Sequence, residues 1–149
     1  MSKLQATLQH IAQELINLME ISAEIEVVDR GEYFEISLNT QDSGLLIGYH
    51  GDTLDSLRLI ISQILYHQTK EWIKLEVNIN GYLDERQQQL MALADKAVQK
   101  VRENQKPETL PYLNARERRF IHLYIEQLQG VRTESVGDEE ARRLIIFPQ

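Results

Sequence analysis

Arg118, Arg119 and His122 are the residues whose types and spacing suggest chemistry most directly. Arg118 and His122 are four positions apart, so a helix places both side chains on one face. Guanidinium groups form paired hydrogen bonds with phosphate oxygens and also stack on bases. The opposite helix face is predicted to be core and carries Phe120, Ile121, Tyr124 and Leu128. With Arg116 nearby, the cluster predicts a phosphate-binding surface, and the alternative is a solvated helix face.

A second candidate site is the Gly48-Tyr49-His50-Gly51 segment, which directly precedes an amphipathic helix. Glycines lack a Cβ atom and therefore let the backbone approach a sugar-phosphate chain closely. The first amides of the following helix favour an anion at the same place. A Gly-x-x-Gly pair alone is a weak signal, and a plain turn or a protein contact is the alternative interpretation.

Six elements are predicted to hold this loop in the first half of the chain. The apolar spacing predicts a helix over about 3–20, strands at 23–28 and 33–38, a short helical segment at 42–47, an amphipathic helix over 54–65 and a strand at 72–79. The loop therefore lies between two helices of an α-β-β-α-α-β unit.

The second half is predicted to position the arginine cluster on a short helix. A long helix over about 83–103 is followed by an extended segment at 109–113. Asn114 and Glu117 form a capping-box signature, so a helix is predicted to begin at Asn114, and Gly130 ends it near 129. Two strands at 131–136 and 142–147 close the chain. The boundary near 80–82 divides it into predicted domains 1–81 and 82–149.

The net charge of −7 is unevenly distributed along the chain. Residues 1–82 carry five Lys or Arg against twelve Asp or Glu, whereas residues 83–149 carry eleven of each. The second half also holds most of the arginines, namely Arg116, Arg118, Arg119, Arg132, Arg142 and Arg143. Phosphate binding is therefore expected there rather than in the first half.

Several classes of protein lack support in the sequence. There are no cysteines, no long apolar run and no signal-peptide pattern, which fits a cytoplasmic protein. Motifs of nucleotide-binding enzymes, hydrolases and metalloproteases are absent. The four histidines lie on different predicted elements. We predict no enzymatic activity, no cofactor and no metal.

The segment 44–57 resembles the KH family in its type II arrangement, and the predicted order of elements agrees with that resemblance. In that family the Gly-x-x-Gly loop clamps the backbone of single-stranded nucleic acid. The middle loop positions are commonly Lys or Arg there, but here they are Tyr49 and His50, followed by Asp52 and Asp55. Tyr49 is suited to stacking on a base, and His50 adds positive charge only when it is protonated.

Residues 111–122 resemble a domain family named for an Arg and a His separated by three residues, the R-three-H domain. The match covers its Pro-x-x-Asn-x-x-Glu-Arg-Arg-x-x-His pattern, and the strands at 131–135 and 142–146 match its closing strands. Members of that family bind single-stranded nucleic acid. The resemblance implies that Arg118 and His122 contact phosphate or sugar.

A KH domain followed directly by an R-three-H domain resembles the bacterial Jag (KhpB) family. We therefore expect an α+β protein with two small domains: a type II KH fold, then an R-three-H fold of helices packed on a small β-sheet. Many Jag proteins carry an additional N-terminal domain, which we do not expect in this chain. The resemblance implies RNA-linked regulation, a role in cell elongation or shape, and self-association or pairing with a small KH-domain protein.

The expected partner is single-stranded RNA, although no residue distinguishes RNA from DNA by contacting a 2′-hydroxyl. A protein-interaction adaptor with a degenerate KH module is the alternative. The predicted nucleic-acid-binding residues are Arg116, Arg118, Arg119, His122, Arg132, Arg142, Arg143, Gly48, Tyr49, His50 and Gly51.

Overall fold

A computed structural model describes residues 2–149. The chain divides into two compact units, and the boundary in the sequence falls between Leu83 and Asp84. None of the described helices combines the length and apolar character that crossing a membrane requires.

The first unit has the element order predicted for a type II KH fold. It contains α1 (Lys3–Leu18), β1 (Glu24–Asp29), β2 (Phe34–Asn39), α2 (Ser43–Ile47), α3 (Asp52–Thr69) and β3 (Leu75–Ile79). The sheet order is β1-β2-β3. β1 and β2 form an antiparallel hairpin. β2 and β3 are parallel, because α2 and α3 carry the chain back across the sheet between them.

One apolar core holds the first unit together. Leu8 and Ile16 of α1 and Leu54 and Ile61 of α3 are buried against the sheet. In β3 the buried and partly exposed residues alternate, since successive strand side chains point to opposite faces. This packing fixes the position of the 48–51 loop, which lies at the start of α3.

The second unit is a small antiparallel sheet with helices packed on one face. It contains α4 (Tyr82–Asn104), which begins at the end of the first unit, then β4 (Glu108–Thr109), α5 (Ala115–Glu126), β5 (Val131–Val136) and β6 (Arg143–Pro148). The strand order is β4-β6-β5. Val98 of α4, Ile121 of α5, and Leu144 and Ile146 of β6 share one buried core. The predicted α+β fold class is confirmed.

Several element boundaries differ from the predictions by one to four residues, and three of them change the placement of a residue or the end of a helix. The third strand begins at Leu75 instead of residue 72, and Trp72 instead stacks on Tyr66 with ring centroids 4.5 Å apart. Helix α5 ends at Glu126 instead of residue 129, because Leu128 N–H bonds to Ile125 O and tightens the final turn. Strand β6 begins one residue later than predicted, which leaves Arg142 in the connection before it.

Candidate nucleic-acid interface

A buried glutamate fixes the N-terminus of α5, which carries the arginine cluster. The Asn114 side chain accepts a hydrogen bond from Glu117 N at 2.9 Å, and the Glu117 carboxylate accepts one from Asn114 N at 3.3 Å. The predicted capping box is therefore confirmed. Glu117 is only 4% exposed, and Arg86 Nε of α4 donates to its Oε1 at 2.7 Å. This ion pair ties the first turn of α5 to α4.

The predicted Arg118, Arg119 and His122 cluster lines one groove in the second unit. The groove has a volume of about 450 Å³ and lies between α5 and the β5–β6 hairpin. Thr133 and Ser135 of β5 add two hydroxyl groups to it. Arg142 enters from the connection before β6, and Ala115 and Leu144 complete the lining. Three guanidinium groups, an imidazole and two hydroxyls therefore converge in one open depression.

Hydrogen bonds to the protein orient two of the three guanidinium groups. Arg118 Nη1 donates to Leu113 O at 2.6 Å, and Arg142 Nε donates to Ser135 Oγ at 2.7 Å. The exposed Arg119 guanidinium makes no hydrogen bond or ion pair with any residue in the range 2–149. Each guanidinium has five N–H donors, so Arg118 and Arg142 retain donors for a ligand. The arrangement suits several phosphate oxygens better than a single carboxylate.

The His122 ring is held through both of its nitrogen atoms. Nδ1 lies 2.5 Å from Thr133 Oγ1, and Nε2 lies 3.1 Å from Glu126 Oε1. Donation from Nε2–H to the carboxylate leaves Nδ1 to accept from the threonine hydroxyl. The side chains of His122 and Glu126 are 45% and 57% exposed. Glu126 therefore places a solvent-accessible negative charge beside a groove that is otherwise suited to anions.

Replacing Glu126 with Gln is expected to strengthen the binding of single-stranded RNA. Glutamine keeps an oxygen that accepts from His122 Nε2 but removes the charge that repels phosphate. Exposed charge interactions of this kind are worth about 0.2–1 kcal/mol, or up to roughly fivefold in affinity. Fluorescence anisotropy with a labelled RNA oligomer should show this gain at low salt and its loss at high salt. Glu103→Gln, in the same unit but outside the groove, is the control, and an equal gain there would show a general charge effect.

The other arginines predicted to bind nucleic acid do not join this groove. Arg116 precedes Arg118 on α5 but is not among the lining residues. Arg132 and Arg143 lie on the opposite face of the sheet, because they alternate with the groove-lining Thr133 and Leu144. Arg132 pairs with Glu134 across one intervening residue.

The Gly48–Gly51 loop of the first unit is a tight turn that depends on both glycines. Gly48 has φ 69° and ψ −169°, and Gly51 has φ 84°. Residues Tyr49–Gly51 form one 3-10 turn, in which His50 also has a positive φ of 51°. The Tyr49 and His50 rings meet edge to face with centroids 4.2 Å apart, and Tyr49 is 68% exposed. The loop therefore presents an aromatic surface where a cation is usual.

The helix that follows this loop carries acid in its first turn. Asp52 and Asp55 lie beside the N-terminal amides of α3, and Arg58 Nε is 4.0 Å from Asp55 Oδ1. Carboxylates at a helix N-terminus interact favourably with the same amides that would otherwise attract a phosphate. The electrostatics therefore favour base stacking over phosphate binding at this loop.

Sequence reasoning missed Thr133 and Ser135 as groove residues, and Glu126 as the carboxylate that contacts His122 beside the groove. Glu126 had a local signal, since it follows His122 by four helical positions. Thr133 and Ser135 alternate along β5, which predicts a shared sheet face, but not that this face meets α5.

Across residues 2–149, no three His, Asp or Glu side chains are grouped as a metal site.

Sequence comparisons identify both units. The profile of the KhpA/KhpB KH domain matches residues 5–79, and that of the R-three-H domain matches residues 88–148. Curated relatives named RNA-binding protein KhpB include one from Clostridium symbiosum, 29% identical over 97% of this chain and 68% of its own length. Another, from Streptococcus pneumoniae serotype 2, is 28% identical over 90% of this chain. A third, from Bacillus subtilis, is 26% identical over 93% of this chain.

These relatives differ in how much of their length the chain accounts for. The chain spans 41% of the Streptococcus pneumoniae protein and 66% of the Bacillus subtilis protein. The KH match covers half of this chain, and the R-three-H match follows it in the order predicted from the residues. Both kinds of domain are nucleic-acid-binding modules. The chain belongs to the KhpA/KhpB family of KH-domain proteins, in the arrangement that joins this domain to an R-three-H domain.

Proposed function

We propose that this chain binds single-stranded RNA and that the Arg118–His122 groove supplies most of the affinity for the sugar-phosphate backbone. The observation that carries the proposal is the convergence of Arg118, Arg119, Arg142 and His122 on one side of the β5–β6 hairpin. Guanidinium groups provide the charge and the hydrogen-bond geometry that phosphates require. The relatives' name, RNA-binding protein KhpB, supports RNA as the nucleic acid.

The KH unit contributes differently in this proposal. Its loop presents the exposed Tyr49 ring and lies beside two aspartates. Bases stack on aromatic rings without a strict sequence requirement. Tyr49, with His50 and the two glycines, therefore contacts bases and adds little to the salt-dependent part of the affinity. Acting in the cytoplasm, such a protein would regulate RNA through binding rather than catalysis.

Binding measured against salt concentration tests the proposal. The affinity for a single-stranded RNA oligomer should fall steeply with salt, by about 0.7 in the logarithmic slope for each phosphate neutralised. Three or four contacts in the groove predict a slope near −2 to −3. A DNA oligomer of the same sequence shows whether the 2′-hydroxyl contributes. Absence of binding to either oligomer at low salt would refute the proposal and favour a protein-interaction adaptor.

A second function, self-association or pairing with a small KH-domain protein, is favoured by the outer surface of α3. Leu59 and Ile60 are 54% and 45% exposed on this helix. Together with Ile64, His67 and two glutamines they line a shallow hollow of about 490 Å³ that has no Asp, Glu, Lys or Arg in its lining. Contiguous exposed apolar surface of this kind commonly marks a protein contact. We propose that a second KH domain covers it.

Ile60→Glu is expected to weaken this association at least about tenfold. A charge placed in an apolar contact must lose its hydration, so the dissociation constant of a dimer should rise at least about tenfold, or ~1.4 kcal/mol. Analytical ultracentrifugation over a range of protein concentrations measures the effect. Leu18→Glu on α1, where the leucine is 80% exposed, is the matched control. A chain that remains monomeric throughout contradicts self-association, and a dimer with an unchanged dissociation constant after Ile60→Glu contradicts the assignment to α3.

A further inference from the structure

The face of the second sheet that lies opposite its helices carries both cationic and apolar side chains. Register places Arg132 opposite Phe147, Glu134 opposite Ile145, and Val136 opposite Arg143. The alternate positions face the helices, and Leu144 and Ile146 among them are buried in the core. These six residues, 132, 134 and 136 on β5 and 143, 145 and 147 on β6, define what we call the open face.

Two arginine–aromatic pairs organise this face. The Arg132 guanidinium lies over the Phe147 ring at 4.4 Å from its centroid. The Arg143 guanidinium lies 5.5 Å from the centroid of Tyr112. Arg143 Nη1 also donates to Glu140 O at 2.6 Å, which holds its side chain in place. Cation–π contact keeps a guanidinium against one face of each ring, and both Phe147 and Tyr112 are partly exposed.

Such pairs match the chemistry of a single-stranded nucleic acid. Bases stack on aromatic rings and on guanidinium planes, while the adjoining phosphates interact with the positive charge. Arg132 and Val136 are each 48% exposed, so this face is accessible to a ligand. The six residues of the open face include two arginines and one acid, Glu134, so their net charge is positive.

The open face also continues from the groove along the chain. Arg142 lines the groove, and the next residue, Arg143, belongs to the open face. Consecutive Cα atoms are only about 3.8 Å apart, so a bound RNA strand needs to cross only a short distance at this end of the β5–β6 hairpin to reach both surfaces. β5 is an edge strand, with no further strand beyond it on that side among the described residues.

We propose that the open face is a second single-strand site, in which Phe147 and Tyr112 stack nucleobases of an RNA whose backbone enters the Arg118–His122 groove. This proposal rests on the proposed RNA-binding function. It assigns base contacts to two aromatic residues and gives Arg132 and Arg143 a role separate from that of the groove. A ligand long enough to occupy both surfaces should depend on both, whereas a short one should need only the groove.

Phe147→Leu tests the stacking, because leucine preserves apolar volume without an aromatic ring. We expect its affinity for an RNA oligomer of about twelve nucleotides to fall roughly fivefold or more, with an unchanged salt slope because no charge is lost. Its affinity for an oligomer of about four nucleotides should match that of the unaltered chain. Ile145→Val, on the same face, is the control and should bind both oligomers normally. Phe147→Tyr should restore the affinity for the longer oligomer.

Arg132→Gln is a second test, which removes an exposed charge and its contact with Phe147 but leaves the buried core unchanged. It should weaken binding of the longer oligomer and lower the salt slope by about 0.7. If both variants bind the longer oligomer as the unaltered chain does, the inference is overturned. The open face would then be free for another role, such as a protein contact. That result leaves the proposed function intact if alanine at Arg118 and His122 still removes binding. Absence of RNA binding by the unaltered chain would refute both.

Discussion

Replacing Arg118 and His122 together with Ala should reduce the affinity for single-stranded RNA by roughly 10- to 100-fold. Both side chains line the groove. In the proposed complex Arg118 donates its remaining N–H groups to a phosphate, and His122 Nε2–H turns from Glu126 to a phosphate oxygen. Hydrogen bonds to charged groups contribute about 1.5–3 kcal/mol, and about 1.4 kcal/mol corresponds to tenfold in affinity. The logarithmic salt slope should also become shallower by about 0.7, as expected for one fewer neutralised phosphate. Fluorescence anisotropy at several salt concentrations measures both quantities.

The control must remove a charge from the same unit without altering the groove. Lys100→Ala is suitable, because Lys100 forms a half-exposed ion pair with Glu108 on β4, with its Nζ 3.0 Å from Glu108 Oε1. Affinity and salt slope should both remain within about twofold of the unaltered chain, as surface ion pairs contribute little. If the double variant binds like the Lys100 variant, while a Gly48→Asp variant shown to be folded does not bind, the KH loop rather than the groove holds the backbone.

Gly48→Ala should destabilise the first unit by about 2–4 kcal/mol. Gly48 lies at φ 69° and ψ −169°, a conformation that is essentially restricted to glycine and costs other residues about 1–3 kcal/mol. A Cβ added there would be 2.1 Å from Thr53 Oγ1, 2.8 Å from Thr53 Cβ and 3.0 Å from Thr53 N. Trp72, the single tryptophan, lies in the first unit, so its fluorescence during urea denaturation reports the unfolding of that unit.

Gly44→Ala is the matched control for Gly48→Ala. Gly44 lies in α2, and a Cβ added there meets nothing within 4 Å. Because alanine favours a helix over glycine, this variant should be unchanged or more stable by up to about 1 kcal/mol. Combining Gly48→Ala with Thr53→Ala should restore only part of the stability, since the Thr53 backbone nitrogen and the backbone strain remain. Full recovery would show that the Thr53 hydroxyl accounts for the whole effect.

Features that depend on neighbouring residues could be predicted from the sequence. The spacing of Arg118 and His122 places both on one helix face, and Asn114 with Glu117 places the start of that helix, because helix geometry and capping act within one or two turns. The same reasoning identified the α-β-β-α-α-β order of the first unit. Boundaries were less accurate: Trp72 was assigned to a strand but stacks on Tyr66, a contact that local β propensity does not reveal.

The composition of the candidate site depended on contacts between distant parts of the chain. His122 meets Thr133 eleven residues later, and Arg142 meets Ser135 across the β5–β6 connection. Period-two alternation separates Arg132 from Thr133, but only the packing of α4 and α5 determines which of them faces the groove. Six arginines that form one basic group in the sequence are therefore divided. Arg118, Arg119 and Arg142 meet in the groove, whereas Arg132 and Arg143 lie on the open face, because the helices cover only one face of the sheet. Arg116, on α5, belongs to neither surface.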